Sequence, residues 1–194
     1  MNKSTIILLS VLGVILFTGF YGCNRRNAFI GMEGTVKQKA SDMQVQYQRR
    51  MDLIDQLVKT VKGQVAFEQK TLTDVVNARA NATRMQINVE TLDPDQLKKF
   101  QAAQGELSQA LGRFLSISEN YPELKSSQAF GDLRAEISGT ENRIQFARND
   151  YNQSVRDFNV AIKQIPGTFF AWGMKDYPSF EAETGAEKRP DISF

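Results

Sequence analysis

The side chains best placed to do chemistry interrupt an apolar helical stripe. Thr140-Glu141-Asn142-Arg143 sets four polar residues between Ile137 and Ile144, and Gln104 takes a seam position between Phe100 and Leu107. A carboxylate buried there would serve as a cation or proton site, or as one member of an interhelical network that holds register. In the second case Glu141 would seek Arg113, Arg143 or Arg49, and Gln104 a neighbouring amide or hydroxyl, because buried polar groups need partners. The network is the favoured reading: dinuclear carboxylate bundles use Glu-x-x-His pairs, and the sequence contains no histidine.

The same absence narrows the remaining chemistry. Without histidine and with the single thiol of Cys23, zinc, copper and non-haem iron sites lose their usual ligands, and Ser-His-Asp and Cys-His mechanisms lose their base. No glycine-rich loop has the spacing of a phosphate-binding or dinucleotide-binding turn. Carboxylate pairs for glycoside chemistry could be drawn arbitrarily from the 22 acids, so they single out nothing. No enzyme, metal or cofactor is expected. Beyond Arg26 the chain carries 21 basic against 22 acidic side chains, which supplies no basic face for nucleic acid.

The elements that hold these residues begin with a hydrophobic run. Between Lys3 and Arg25 lie 21 uncharged residues, including Ile6, Leu9, Leu12, Ile15, Phe17 and Phe20, enough for the ~20 needed to cross a bilayer. Three readings compete: an uncleaved transmembrane anchor, a cleaved secretory signal, and a lipoprotein signal ending at Cys23. The run is long for a signal peptide and ends in bulky Phe20 and Tyr21 rather than a small-x-small site, which favours the anchor. Membrane lipid is therefore one partner. The charge balance across the run leans slightly toward a cytoplasmic body.

From Asn27 to Asp93 there is no proline, and good helix formers dominate. A first body helix is expected from Asn27 to about Ala82, with Leu53, Leu57, Val58, Val61, Val65, Leu72, Val75, Val76 and Ala80 on one face. Asp52-Leu53-Ile54-Asp55 has the look of a capping box, so the helix either breaks there or continues. Asp93-Pro94 starts a second helix, whose Leu97, Phe100, Gln104, Leu107, Leu111, Phe114 and Ser118 keep a heptad-like rhythm. It stops near Tyr121-Pro122. A third runs from about Ser127 to Ile165 with Leu133, Ile137, Thr140, Ile144, Ala147, Tyr151, Val155, Phe158 and Ile162 in the same rhythm, and Pro166-Gly167 ends it.

The fold class is all-α: a transmembrane helix over 1–26, then an antiparallel bundle of three long helices over 27–165, or four if the first breaks near Asp52. The tail, 166–194, gathers Phe169, Phe170 and Trp172. These aromatics either strap the end of the bundle or contact a membrane interface or another protomer. From Glu181 to Phe194 the tail is charged and is expected to be loosely held. If the first helix is unbroken, the shorter helices leave part of its stripe bare, and a homo-oligomer in contact through Phe29 to Tyr47 and the aromatic tail is expected.

Ordered motifs carry a resemblance across nearly the whole chain. Tyr47-Gln48-Arg49-Arg50-Met51-Asp52, Gln104-Gly105-Glu106-Leu107 with Arg113, Tyr121-Pro122, Gly139-Thr140-Glu141-Asn142-Arg143, Tyr151-Asn152 and Phe158-Asn159 together resemble the LemA family of bacterial membrane proteins. The chain departs from that pattern at Met51 and Asp55, where the family usually has Ala and Pro, and in carrying Cys23 at the end of the anchor. The resemblance implies an N-terminal anchor, a helical domain and no catalytic residues, with relatives linked to magnetosome membrane invagination or encoded beside membrane metalloproteases. It implies a single-pass protein of the bacterial inner membrane. Two functions follow: a self-associating scaffold that organises or shapes the envelope membrane, or an adaptor for an integral partner such as a membrane metalloprotease.

Overall fold

The computed structural model describes residues 2–62, 68–85, 87 and 92–181. Five helices follow in order: α1 Lys3–Lys62, α2 Gln69–Arg84, α3 Pro94–Ser118, the single turn α4 Pro122–Lys125, and α5 Gln128–Lys163; a 3-10 turn, Gly167–Phe169, comes after them. There is no strand among the described residues. The start of α3 follows from its sequence: Asp93 is extended, its carboxylate accepts from the Gln96 N–H at 2.7 Å, and Pro94 occupies the first turn.

α1 has 60 residues, ~90 Å of unbroken helix. It passes through Asp52 without interruption, and that carboxylate accepts from Gln48, one turn earlier in the same helix, at 2.9 Å. Met51, Leu53 and Ile54 are all buried around it, so packing outweighs the local cap signal. The first body helix does not, however, reach Ala82. It ends at Lys62, with Lys59 and Lys62 in its last turn where cations suit the negative end of the dipole. α2 then runs back along it: Arg79 donates to Asp55 at 2.5 Å and to the Met51 carbonyl at 3.3 Å. In a continuous helix residues 55 and 79 would stand ~36 Å apart. The bundle therefore has four long helices, with the reversal later than Asp52.

α1 packs along α5, and α2 along α3. Beyond the anchor, the portion of α1 from Asn27 to Lys62 is as long as α5, which has 36 residues. Every expected seam residue of α3 is buried, as are Ile137, Thr140, Ile144, Tyr151, Val155, Phe158 and Ile162 on α5. On α1 and α2, Leu53, Leu57, Val58, Val61 and Val75 are buried, Leu72 and Ala80 half-buried and Val76 exposed, while Val65 lies outside the described residues.

The core forms two clusters. A distal one joins Ile54 and Leu57 of α1, Val75 of α2, Leu107 and Phe114 of α3, and Ile137 of α5. A proximal one joins Phe29, Val36, Met43 and Tyr47 of α1 to Phe100, Tyr151, Phe158 and Phe180. The inward face of the segment from Phe29 to Tyr47, expected to need a second protomer, is thus covered within the chain, while Ile30 and Val45 stay exposed. The uncovered-stripe argument for a homo-oligomer fails because α5 matches the part of α1 beyond the anchor in length and the tail adds cover.

That cover is a strap held by two asparagines. Asn159 donates to the Tyr177 carbonyl at 2.8 Å and accepts its N–H at 3.0 Å. Asn152 treats Phe180 likewise at 3.1 and 2.8 Å. Seven residues apart on α5, they share a face and pair with the extended backbone as a neighbouring strand would. Tyr177 also donates to Glu33 at 3.0 Å, and the Tyr151 hydroxyl to the Pro178 carbonyl at 2.9 Å. The tail beyond Glu181 lies outside the described residues.

Asn159→Ala removes two strap bonds at ~1 kcal/mol each, so amides near Tyr177 should exchange with solvent faster while α3 amides keep their protection; unchanged exchange near Tyr177 would disprove the clamp. Burial, with a smaller contribution from nearby Tyr177, pushes the Tyr151 phenol above its ordinary range. The folded state then retains a proton that the unfolded state loses near pH ~10, so stability is intact below that pH and declines as pH rises past it. Tyr151→Phe should flatten the decline, read by urea melts at about pH 9 and 11.

Candidate functional site

The polar layer expected on α5 is present, but its centre is on α1. Arg50 is 1% exposed. Its guanidinium donates to Glu141 on α5 at 2.8 Å, to the Ser108 hydroxyl on α3 at 3.0 Å, and to the Gln104 amide oxygen. It also lies 5.3 Å from the centroid of the Tyr47 ring, which stacks edge-on against Phe100 at 4.9 Å. Arg50 follows from helix period: Tyr47, Arg50 and Ile54 fall three and four apart on the inward face. Its Nε has no hydrogen-bond partner, so the ion is held by one fork of its donors.

Glu141 therefore pairs with none of the three arginines named as candidates. Arg49, next to Arg50 but pointing outward, pairs with Glu136 on the surface. Arg143 is exposed and donates to the Thr140 hydroxyl at 3.1 Å. Arg113, Glu106 and Asn142 are also exposed, and Asp52 stays within its own helix turn. Tyr121 precedes α4 and packs on the distal core, with Pro122 starting that turn. Phe158 is buried, edge-on to Tyr177 at 5.6 Å. The motif residues thus separate into an Arg50–Gln104–Glu141 layer, the Asn152 and Asn159 clamp, and a scattered outer face.

The Glu141 side chain is 37% exposed, so the layer opens to solvent on one side. One cation already neutralises the one carboxylate. Among the described residues no group of three or more His, Cys, Asp or Glu stands close enough to hold a metal ion. An arginine cannot be deprotonated inside a protein, and the register that brings α1, α3 and α5 level at Arg50 lets the ion be buried with partners. Ser108 was not among the candidate residues, and Asn152 entered only through the Tyr151-Asn152 motif; the recurrence of Asn after an aromatic stripe residue, there and at Phe158-Asn159, is the signal that marks the clamp.

The anchor residues Ile6, Leu9, Leu12, Ile15, Phe17 and Phe20 are all exposed, and α1 is long and apolar enough there to cross a membrane. Cys23 is a free, exposed thiol. The tail aromatics divide. Phe170 is edge-on to Tyr21 at 5.8 Å and lies over Gly22, where a Cβ would come within 2.7 Å of its ring. Phe169 and Trp172 face outward.

Losing one member of the layer strands the others. Glu141→Ala is expected to cost ~1 to 3 kcal/mol, and Arg143→Ala no more than about 0.5 kcal/mol as a surface change. Arg50→Met with Gln104→Leu should melt above Glu141→Ala, since it removes the buried charge with its partner. Chemical denaturation gives the order, and equal melting of all three would count against a structural layer.

The chain resembles proteins of known name along most of its length. It is 27% identical over 190 residues to magnetosome protein MamQ of Magnetospirillum gryphiswaldense, covering 88% of this chain and 70% of that protein. It is 26% identical over 184 residues to magnetosome protein MamQ 2 of Paramagnetospirillum magneticum, covering 86% and 67%. Against protein LemA of Metamycoplasma hominis it is 25% identical over 161 residues, covering 83% and 69%. The LemA family profile matches residues 39–194, a span that includes the Arg50 layer, the asparagine clamp and the aromatic tail, and the chain belongs to the LemA family.

Proposed function

We propose that this protein is a non-enzymatic scaffold of the bacterial inner membrane, anchored once by α1, which self-associates and organises or shapes the surrounding bilayer. The observation that carries the reading is the continuity of α1 from Lys3 to Lys62. A mobile tether would join span and body by a Gly- or Ser-rich linker. Here the helix that crosses the membrane is also the one that supplies Phe29, Met43, Arg50 and Leu57 to the core. Body and span move as one rod, so forces between bodies reach the bilayer directly. The magnetosome names of the MamQ relatives support a membrane role.

Self-association would use outward residues. Ile30 and Val45 on α1, and Phe146 and Val160 on α5, are large, apolar and exposed above the anchor. Single cysteines at these four positions in a Cys23→Ser background should crosslink in native membranes into dimers and higher species, at one or more positions. Monomer at every position at native expression, with a stoichiometric integral membrane protein co-purifying, would replace the scaffold with the adaptor.

A further inference from the structure

The turn between α5 and the strap is out of place on a water-facing surface. Ile165, Phe169 and Trp172 are 80%, 73% and 84% exposed within eight residues, whereas soluble surfaces rarely group large apolar side chains in this way. Part of the backbone beneath them is closed on itself. Thr168 N–H donates to Gln164, Phe169 to Pro166, Phe170 to Gly167 and Met174 to Ala171, at 2.8 to 3.2 Å, and Arg26 donates to the Trp172 carbonyl at 3.1 Å. Groups satisfied in this manner lower the cost of placing irregular backbone in an apolar medium, and the others can reach water and headgroups at a shallow depth.

Phe169, Phe170 and Trp172 share one groove with Val14, Ile15, Thr18, Gly19 and Gly22 of α1. Those α1 residues belong to the 21-residue uncharged run, whose ~32 Å of helix matches a ~30 Å hydrocarbon layer. When the run spans the bilayer, Gly22 lies inside the leaflet on the body's side, with Arg25 and Arg26 at headgroup depth. A turn that packs Phe170 on Gly22 reaches the same depth, and Trp172, tied to Arg26, falls at the interface that tryptophan prefers.

We propose that the Ile165–Trp172 turn is a second membrane contact: a shallow wedge, its occupant lipid acyl chains and headgroups, embedded in the leaflet that receives the body end of the anchor. The proposal rests on α1 spanning the membrane and is independent of self-association. A wedge beside a span takes up area in one leaflet only, and it holds α5 as well as α1 to the bilayer, so the bundle stands upright.

Trp172 is the sole tryptophan, so its emission reports the turn directly. In the full-length protein reconstituted into phosphatidylcholine and phosphatidylglycerol vesicles, Trp172 should emit at short wavelength, lose most of its intensity to lipids brominated on the upper acyl chain, lose less to bromine near the chain end, and resist aqueous iodide. Ile165→Ser with Phe169→Ser, which keeps the reporter, should shift emission to the red and restore iodide quenching, while alkaline washing still leaves the protein in the membrane. Red emission quenched by iodide in the unaltered protein overturns the wedge. So does short-wavelength emission insensitive to brominated lipid, which would mean that a second copy or another protein covers the turn. Release of the unaltered protein by alkali would instead remove the anchor, and the wedge with it.

Discussion

Burying the Arg50 charge demands that three helices meet at one level. Its guanidinium finds Glu141 on α5 and both Gln104 and Ser108 on α3, and a slip of one turn, ~5.4 Å, would part it from all of them. Apolar stripes alone tolerate such slips, because one leucine layer packs nearly as well as the next. The polar layer also separates the two core clusters: Tyr47 and Phe100 lie on its proximal side, Ile54 and Leu107 on its distal side. Removing a charge from water is costly, and here the cost falls most heavily on wrong registers.

Register at Arg50 travels to the membrane along two helices. As many residues separate Arg50 from Gly22 on α1 as separate Glu141 from Phe169, most of the latter on α5. From Glu141 to the end of α5 at Lys163 is ~33 Å of helix, so antiparallel packing sets that end level with Ala28 on α1, and the turn after it covers the remaining distance to Gly22. The aromatic turn meets α1 at Gly22, where the absence of a side chain lets the Phe170 ring in. Gly167 allows a second close approach, since a Cβ there would fall 2.6 Å from the Ala161 carbonyl and 3.0 Å from the Phe29 ring.

Which features were legible in the sequence follows from the range of the interactions behind them. The α3 and α5 stripes could be read because burial periodicity is a property of one helix. The Asp93 start of α3 could be read because a cap spans three residues. Glu141's partner could not: Arg49, Arg50, Arg113 and Arg143 are equally plausible until the rotation of α1 is set, and one step from Arg49 to Arg50 turns a side chain ~100° from surface to core. The choice left open at Asp52, between a break and a continuous helix, has the same origin. A capping box weighs ~1 kcal/mol, less than the burial of Met51, Leu53 and Ile54 in a continuous helix. The basic last turn at Lys59 and Lys62 was the better sign of where α1 ends.

The strap explains how the part of α1 beyond the anchor is covered by a chain whose third long helix has only 25 residues. Near the membrane α3 has already ended, so α1 and α5 alone would form a two-helix ribbon with one flank bare. Extended backbone from Met174 to Glu181 fills that flank at little length, because an extended residue advances about twice as far as a helical one. Its polar groups then need partners, which Asn152, Asn159, Tyr151, Gln101 and Arg148 supply from neighbouring helices. The strap can reach its clamp only after the chain turns at the membrane-facing end of α5, so the aromatic turn and the closure of the proximal core are one constraint: covering Phe29 and Met43 with Tyr177 and Phe180 obliges Phe169 and Trp172 to lie beside the anchor.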